Sequence, residues 1–540
     1  MRRLLACFAV WVCSQVLLHA QTGPRVLTFR SAVDDSEQPY AVYVPRTFRS
    51  DSRYPLVVSL HSEQSTHRLN LRQVLSVPLR IGEFDSDDLR YFPVVRDEGF
   101  IVACPLARGT MGYQGIPESD VYDVLADVER RFPIDQDRVY LTGISMGGSG
   151  ALRLALTRPD VWAAVAPICP AASPAIEELA LNASNLPIRL YHGEQDPIVP
   201  VAVSRDWQRR LLDLGDPVEY IEYPGVRHNA WDFAYKGAAL FQWFSEFKRH
   251  PFPERVRFTA SSYRYASAYW VRIDALTPGV SASIDARRVA AGMIQVQTRG
   301  VDGFTISMEH LTATVLIDGT PVRVKPSPSV SFERSSGNWK QGLARPPGKR
   351  PGLEGPIAEA VAGKHIYVYG TLGAPDTREL AARKQMAETA AAWSSTQSRL
   401  GLKFHVMADT AVTDADLDTS SVVVFGTRQT NALVARLAGS LPLELSPGAA
   451  DFGLLFVAPA GKHYALVSSG LPWWTGADEA ARGGDFFAPF PYRTLTTFGD
   501  FILFKGGLSN VVAEGRFDRE WKVPADLAPR MAATGAVIIH

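Results

Sequence analysis

Cysteine is scarce: the chain has four in 540 residues, scattered singly. That spacing excludes a zinc module built from clustered Cys and His. Net charge is also missing, because Lys plus Arg and Asp plus Glu both number 56. A neutral chain gives no reason to expect nucleic acid or an anionic membrane surface as a partner. Beyond the first twenty residues, no stretch reaches the roughly 20 apolar residues needed to cross a bilayer. No internal repeat of fixed period is visible. Hydrophobic residues make up 46% and charged residues 21%, an ordinary globular composition that leaves no room for a largely disordered protein. At 540 residues the chain is too long for one core and predicts two to four domains.

Residues 1–20 read as an export signal. Arg2 and Arg3 form a short basic start, Leu4 to Val12 an apolar run, and Leu18-His19-Ala20 an imperfect cleavage site. A secreted or periplasmic location is expected. Removing the signal leaves Cys104 and Cys169, both at the ends of predicted strands in non-neighbouring places. Cα atoms more than about 7 Å apart cannot be bridged, so two buried thiols and no disulfide are expected.

Residues 21–250 alternate short apolar runs with helical patterns. The runs are Leu56–Leu60, Phe100–Cys104, Val139–Thr142, Ala163–Ile168, Ile188–Tyr191 and Val218–Glu222. Their continuous apolar character predicts parallel strands covered on both faces. Val121, Val124, Leu125, Val128 and Phe132 recur at helical spacing, and Pro133 ends that helix. The alternation predicts a parallel sheet with right-handed crossovers. From 252 to 333 the period changes to two, and Asp318-Gly319 between apolar runs signals a hairpin. A small antiparallel β-sandwich-like domain is expected there. Residues 334–356, rich in Gly, Pro and basic side chains, predict a linker. Residues 357–540 predict a second α/β domain, with strands at His365–Tyr369 and Ser421–Phe425 and a helix over Glu379–Leu400.

Gly143-Ile144-Ser145-Met146-Gly147 follows a predicted strand and opens a predicted helix. A nucleophile on so sharp a turn has strained backbone angles, and its neighbours two residues away must lack side chains. The turn lifts the Ser145 hydroxyl to a helix N-terminus, where free N–H groups favour a developing oxyanion. Ser149 lies a full turn into the helix and is read as packing. A serine hydroxyl needs an adjacent base. His228 follows the Val218–Glu222 run in Pro224-Gly225-Val226-Arg227-His228-Asn229, at the edge where the nucleophile emerges. His67 is read as a loop residue, and His192 as the end of a strand. The base needs a carboxylate on its other nitrogen, and Asp196 follows the preceding strand. Glu194 competes for that role, and Asp232 could instead cap the helix starting near Phe233. The order Ser145, Asp196, His228 is that of α/β-hydrolases, and this chemistry calls for no cofactor and no metal.

The segment Asp135-Gln136-Asp137-Arg138-Val139-Tyr140-Leu141-Thr142-Gly143-Ile144-Ser145-Met146-Gly147-Gly148 resembles the nucleophile region of secreted esterases. These are the polyhydroxybutyrate-depolymerase and feruloyl-esterase-like group, with the prolyl-oligopeptidase-like serine hydrolases. Tyr43-Val44-Pro45, Pro105-Leu106-Ala107-Arg108-Gly109 and the segments around Asp196 and His228 share the likeness, which covers about residues 38–248. It implies an α/β-hydrolase fold and a secreted serine hydrolase acting on carboxylic esters, of carbohydrates or aromatic acids.

One departure concerns the oxyanion loop. Family members usually have His-Gly-x after the third strand, and this chain has His61-Ser62-Glu63. Carried over, the donors are the backbone N–H groups of Glu63 and Met146. A glycine is absent where the backbone often needs one, and a carboxylate is introduced near the developing charge. Two like charges about 4 Å apart cost roughly 4 kcal/mol at an effective dielectric near 20, so Glu63 must point away or be paired in a fast enzyme. The substitution indicates either a slow enzyme or a reshaped entrance. The loop from Glu63 to Glu98 is long enough to form a cap, and Tyr113, Trp162 and Trp231 are aromatic candidates near the pocket.

Three readings remain open on the sequence. The first is an esterase acting on a small-molecule or polysaccharide-linked ester. The second is a serine peptidase, although prolyl oligopeptidases carry a propeller before the hydrolase domain and here the hydrolase comes first. The third is a carbohydrate-binding homologue with little activity, for which Trp473-Trp474 would offer a stacking surface.

Overall fold

The computed structural model describes residues 22–540 apart from 64, 78–96, 98, 291, 312–313, 326, 345–347, 375, 397–401, 403 and 478–489. The export-signal segment and most of the cap loop lie outside the described residues. Among the described residues no helix is long and apolar enough to cross a membrane.

The first sheet has eight strands: β1 (Gly23–Arg30), β2 (Glu37–Val44), β3 (Tyr54–Leu60), β4 (Ile101–Pro105), β5 (Ile134–Ile144), β6 (Ala164–Ile168), β7 (Ile188–Gly193) and β8 (Val218–Tyr223). Their order is β1-β2-β4-β3-β5-β6-β7-β8. From β4 to β8 every neighbouring pair is parallel. The six apolar runs of the sequence are these six strands. β1 and β2 form an antiparallel hairpin that meets the sheet through β2 and β4. Helices α1 (His67–Val74), α2 (Ile116–Arg131), α3 (Met146–Thr157) and α4 (Ala202–Asp213) connect the strands. In α2, Val121, Val124, Leu125 and Val128 form the buried stripe, and Pro133 keeps the helix from continuing. His67 begins α1 and is buried, so it is not a loop residue. The Thr66 hydroxyl caps this helix by accepting from Leu69 N–H, which draws His67 into the first turn. This is the α/β-hydrolase fold.

Two five-stranded sheets follow, with Phe258, Trp270, Phe304 and Phe332 in their shared core. The pairing is antiparallel except where Met293–Arg299 runs parallel to Thr314–Ile317, a departure from the all-antiparallel expectation. The hairpin at Asp318-Gly319 is present: both residues have positive φ, 48° and 83°, as a two-residue turn between twisted strands requires. Strands Ser327–Ser335 and Asn338–Gln341 pair with each other, so the β-structure continues past Arg334, where the sequence predicts a linker. The Gly and basic residues there are accommodated by a tight turn at Ser336-Gly337, both at positive φ.

The third unit is a seven-stranded sheet. It runs Val406–Ala408, His365–Tyr369, Ser421–Phe425, His463–Gly470, Phe452–Ala460, Phe501–Lys505 and Val511–Gly515. The first four strands are parallel and the remainder antiparallel. The alanine-rich helix spans Thr377–Thr396. Trp473 is buried, stacked on Phe425 at 5.8 Å and edge-on to Trp474. Trp473 is therefore core, while Trp474 is only partly buried against it.

Polar clamps join the three units. Asn182 exchanges two hydrogen bonds with the Thr259 backbone. Tyr265 donates to Glu118 at 2.6 Å, and Arg264 pairs with Glu359 at 2.9 Å. The buried Glu354 carboxylate accepts from the Ser262 hydroxyl and from Tyr263 and Arg264 N–H. Cys104 and Cys169 are buried free thiols.

Candidate active site

Ser145 sits between β5 and α3 at φ 55°, ψ −113°, a strained conformation for a side-chain-bearing residue. Its N–H donates to the Ile168 carbonyl at 2.8 Å, which holds the turn against β6. The flanking glycines are demanded by close approach. A Cβ on Gly143 would lie 2.1 Å from the Gly147 carbonyl oxygen, and one on Gly147 would lie 2.2 Å from the Leu60 carbonyl. No side chain caps α3. Its first N–H groups, beginning with Met146, therefore stand at the positive end of the helix beside the hydroxyl.

His228 and Asp196 arrive from the loops after β8 and β7. His228 Nε2 is 3.0 Å from Ser145 Oγ, and His228 Nδ1 is 2.7 Å from Asp196 Oδ2. With its proton on Nδ1, the ring donates to the carboxylate and accepts from the serine hydroxyl. The other Asp196 oxygen accepts from Ile198 and Val199 N–H, both at 2.9 Å. Burial pushes the Asp196 carboxyl up, but the His228 bond and the two backbone donors outweigh it and hold the carboxyl below its ordinary range. All three residues singled out in the sequence meet at one edge of the sheet. Glu194 does not join them; its exposed carboxylate accepts from Gly225 N–H. Asp232 lies in the first turn of a short helix and accepts from Asn229.

Two supporting residues carried no sequence signal. His192 is fully buried at the end of β7, with Nδ1 2.7 Å from Ser204 Oγ and Nε2 3.0 Å from the Val199 carbonyl. Nε2 also lies 3.2 Å from Asp196 Oδ2. Burial lowers the His192 pKa and keeps the ring neutral, so it packs against the acid without neutralising it. Cys169, at φ 46°, directs its thiol toward the His228 carbonyl at 3.7 Å. Among the described residues, Cys169, His192 and Asp196 are the one group whose ligating atoms converge, all within 4.8 Å of one another. Asp196 and Cys169 each meet His228, and His192 is engaged by Ser204 and the Val199 carbonyl.

The oxyanion loop departs from expectation in one respect. Neither Ser62 nor Glu63 has positive φ. The backbone there is one that any L-residue adopts, so the absent glycine removes nothing the loop needs. Instead the loop is braced by His61, whose buried ring faces the Ser62 carbonyl at 2.7 Å and the Leu106 carbonyl at 2.9 Å. The Tyr113 hydroxyl donates to the His61 carbonyl at 3.1 Å. Arg108 secures Leu106 from behind. Fully buried, its guanidinium donates to Asp34 at 2.8 Å, Asp120 at 2.7 Å and Ser31 at 2.7 Å. Of the aromatic candidates, Trp231 stands edge-on to the His228 ring at 5.4 Å, and Tyr113 lines the cleft described below. Trp162 is core packing beside Tyr122.

A cleft of about 710 Å³ opens beside the serine, with Met146, Ser149 and Arg153 on its floor. Fold and site together define an α/β-hydrolase fold with a Ser-His-Asp arrangement at its carboxyl edge. The phospholipase/carboxylesterase family matches residues 115–241, the stretch from α2 through the His228 loop. No curated protein sequence matches the chain. Among solved structures, a thermostable esterase is 26% identical with a TM-score of 0.34, over 42% of this chain and 63% of that one. This chain thus spans less than two thirds of that esterase. A ferulic acid esterase is 18% identical with a TM-score of 0.33, over 42% of this chain and 97% of that one. The acylaminoacyl peptidase of Pyrococcus horikoshii is 18% identical with a TM-score of 0.32, over 43% of each chain.

Proposed function

We propose that this protein hydrolyses carboxylic esters through an acyl-enzyme on Ser145. The observation that carries the reading is the unbroken chain from Asp196 through His228 to Ser145, at 2.7 and 3.0 Å. In this reading His228 takes the hydroxyl proton as Ser145 Oγ attacks the ester carbonyl. Asp196 holds the tautomer and stabilises the imidazolium. The oxyanion collapses, the alcohol leaves with the proton from His228, and water then repeats the sequence on the acyl-enzyme, releasing the acid. The N–H groups of Met146 and Glu63 are the proposed oxyanion donors, each contributing about 100- to 1000-fold in rate.

Export is part of the same proposal, resting on the basic start and apolar run of residues 1–20. The N-terminal residue of the mature protein tests it: a chain still beginning at Met1 rejects export. A fluorophosphonate probe tests the chemistry. Wild type is expected to label and Ser145→Ala to remain unlabelled, with 4-nitrophenyl acetate hydrolysed by wild type alone. An unlabelled wild type rejects the enzyme in favour of a binding protein, and cleavage of peptide amides at rates matching the ester favours a peptidase.

A further inference from the structure

The cleft beside Ser145 follows one face of α3. Met146, Ser149, Gly150, Arg153 and Thr157 are spaced at three and four residues, so the floor runs about 16 Å from the nucleophile's end of the helix. Its other walls come partly from the hydrolase unit, through Tyr113 and the segment 171–182, and partly from the accessory units. The β-region supplies the segment 259–262 and Tyr265, and the C-terminal unit supplies segment 355–359, Thr496, Thr497 and Arg516. The accessory units therefore help to enclose a groove whose floor starts at Met146, the residue after Ser145.

Arg516 is the distinctive residue on these walls. It directly follows the strand Val511–Gly515, and among the described residues no carboxylate pairs with its guanidinium. Asp500, whose charge it feels, is already held by the Lys349 ammonium and the Phe517 N–H. Glu359, also on the groove, is held by Arg264. Glu178 accepts from the Ser261 hydroxyl. The Arg516 side chain lies across Gly279, where a Cβ would come within 2.5 Å of its Cδ. Gly279 N–H in turn donates to the Ser261 carbonyl at 2.7 Å. A bare glycine thus makes room for the arginine stem, and the turn carrying it is fastened to the groove wall. A guanidinium held by its stem, left without an acid and facing a cleft, matches a planar carboxylate in geometry and charge.

We propose that Arg516 is a specificity-determining residue: it reads a carboxylate on the ester substrate, in the groove that α3 and the two accessory units enclose. The proposal rests on the ester-hydrolase reading of Ser145. It assigns the C-terminal unit a direct part in choosing the substrate, although all three triad residues lie in the hydrolase unit.

The test compares two sets of aryl esters on the full-length protein. One set is the 4-nitrophenyl half-esters of straight-chain dicarboxylic acids, each paired with the neutral ester of equal length. The other carries the carboxylate on the aryl alcohol, paired with the uncharged aryl ester. At one chain length in one set, wild type is expected to prefer the carboxylate by about tenfold in kcat/KM, through KM, the effect of one charge-assisted pair. Raising the salt concentration is expected to erode the preference. Arg516→Ala should abolish it, and Arg516→Lys should keep part of it. Both variants should retain wild-type turnover of 4-nitrophenyl acetate and wild-type fluorophosphonate labelling. No carboxylate preference in either set, or one that survives Arg516→Ala, overturns the proposal. Loss of acetate turnover and labelling in wild type itself would instead reject the underlying hydrolase reading, and Arg516 with it.

Discussion

The hydrolase sheet and the C-terminal sheet each send a parallel strand into a helix at the carboxyl edge, and they treat the helix end in opposite ways. In the C-terminal sheet, Ser421–Phe425 leads to the helix Ala432–Leu437. There the Asn431 side chain accepts from Leu433 N–H at 2.9 Å and Val434 N–H at 3.2 Å. Asp409 accepts from Ala432 N–H at 2.5 Å and from the Thr371 backbone and hydroxyl. The helix N-terminus is consumed by the protein's own oxygens. In the hydrolase sheet, β5 turns into α3 through Ser145 with no side-chain cap. The same architectural position is closed by side-chain caps in one half and, among the described residues, has no side-chain cap in the other, where its donors stand beside the Ser145 hydroxyl.

The largest effect is expected at Ser145. Ser145→Ala is expected to lower kcat/KM on aryl esters by about 10⁶, and Asp196→Asn by about 10⁴ through the wrong His228 tautomer. Ser145→Ala should unfold at the wild-type urea midpoint; Ser145→Ala with activity within tenfold of wild type would contradict the assignment. Next in size is the buried clamp behind the oxyanion loop. Arg108→Ala strands Asp34 and Asp120 without a cation and should cost about 3–5 kcal/mol in urea unfolding.

A pH effect follows at the junction of the accessory units. Burial raises the Glu354 carboxyl to about 7. The folded chain then keeps a proton that the unfolded chain loses near 4.5, so stability falls as pH rises from about 4.5 to 7 and levels off above, by about 3 kcal/mol in all. Urea midpoints from pH 4.5 to 8 should show this decline in wild type and a flatter line in Glu354→Gln. Equal slopes would discard Glu354 as its source. The smallest effect sharpens the contrast directly. Asp409→Ala should cost about 1–3 kcal/mol of stability in the C-terminal sheet and leave aryl ester turnover unchanged; a proportional loss of turnover would make that helix end part of the active site.

Much of the site could be read from the chain. Gly143, Ser145 and Gly147 carry a local requirement, since a strand-to-helix turn this tight admits no side chain at either flank. Asp196 and His228 were legible because each follows an apolar run in the order the fold imposes. The braces were not. His192 and Cys169 have no motif, and they matter only because β6 and β7 lie side by side with their carboxyl ends against the acid. Likewise nothing in Ser62-Glu63 shows that the backbone there avoids positive φ, and an Asn-Asp capping pair drawn from residues 431 and 409 is invisible at that separation.

What the sequence determined alone was therefore the periodic and the local: apolar runs that make strands, one strained turn, and the order of three reactive residues. Which charges find a partner among the described residues was settled by packing, because pairing depends on where separate segments meet. Arg108 is matched twice over by Asp34 and Asp120, whereas Arg516 is left facing a groove built from three units.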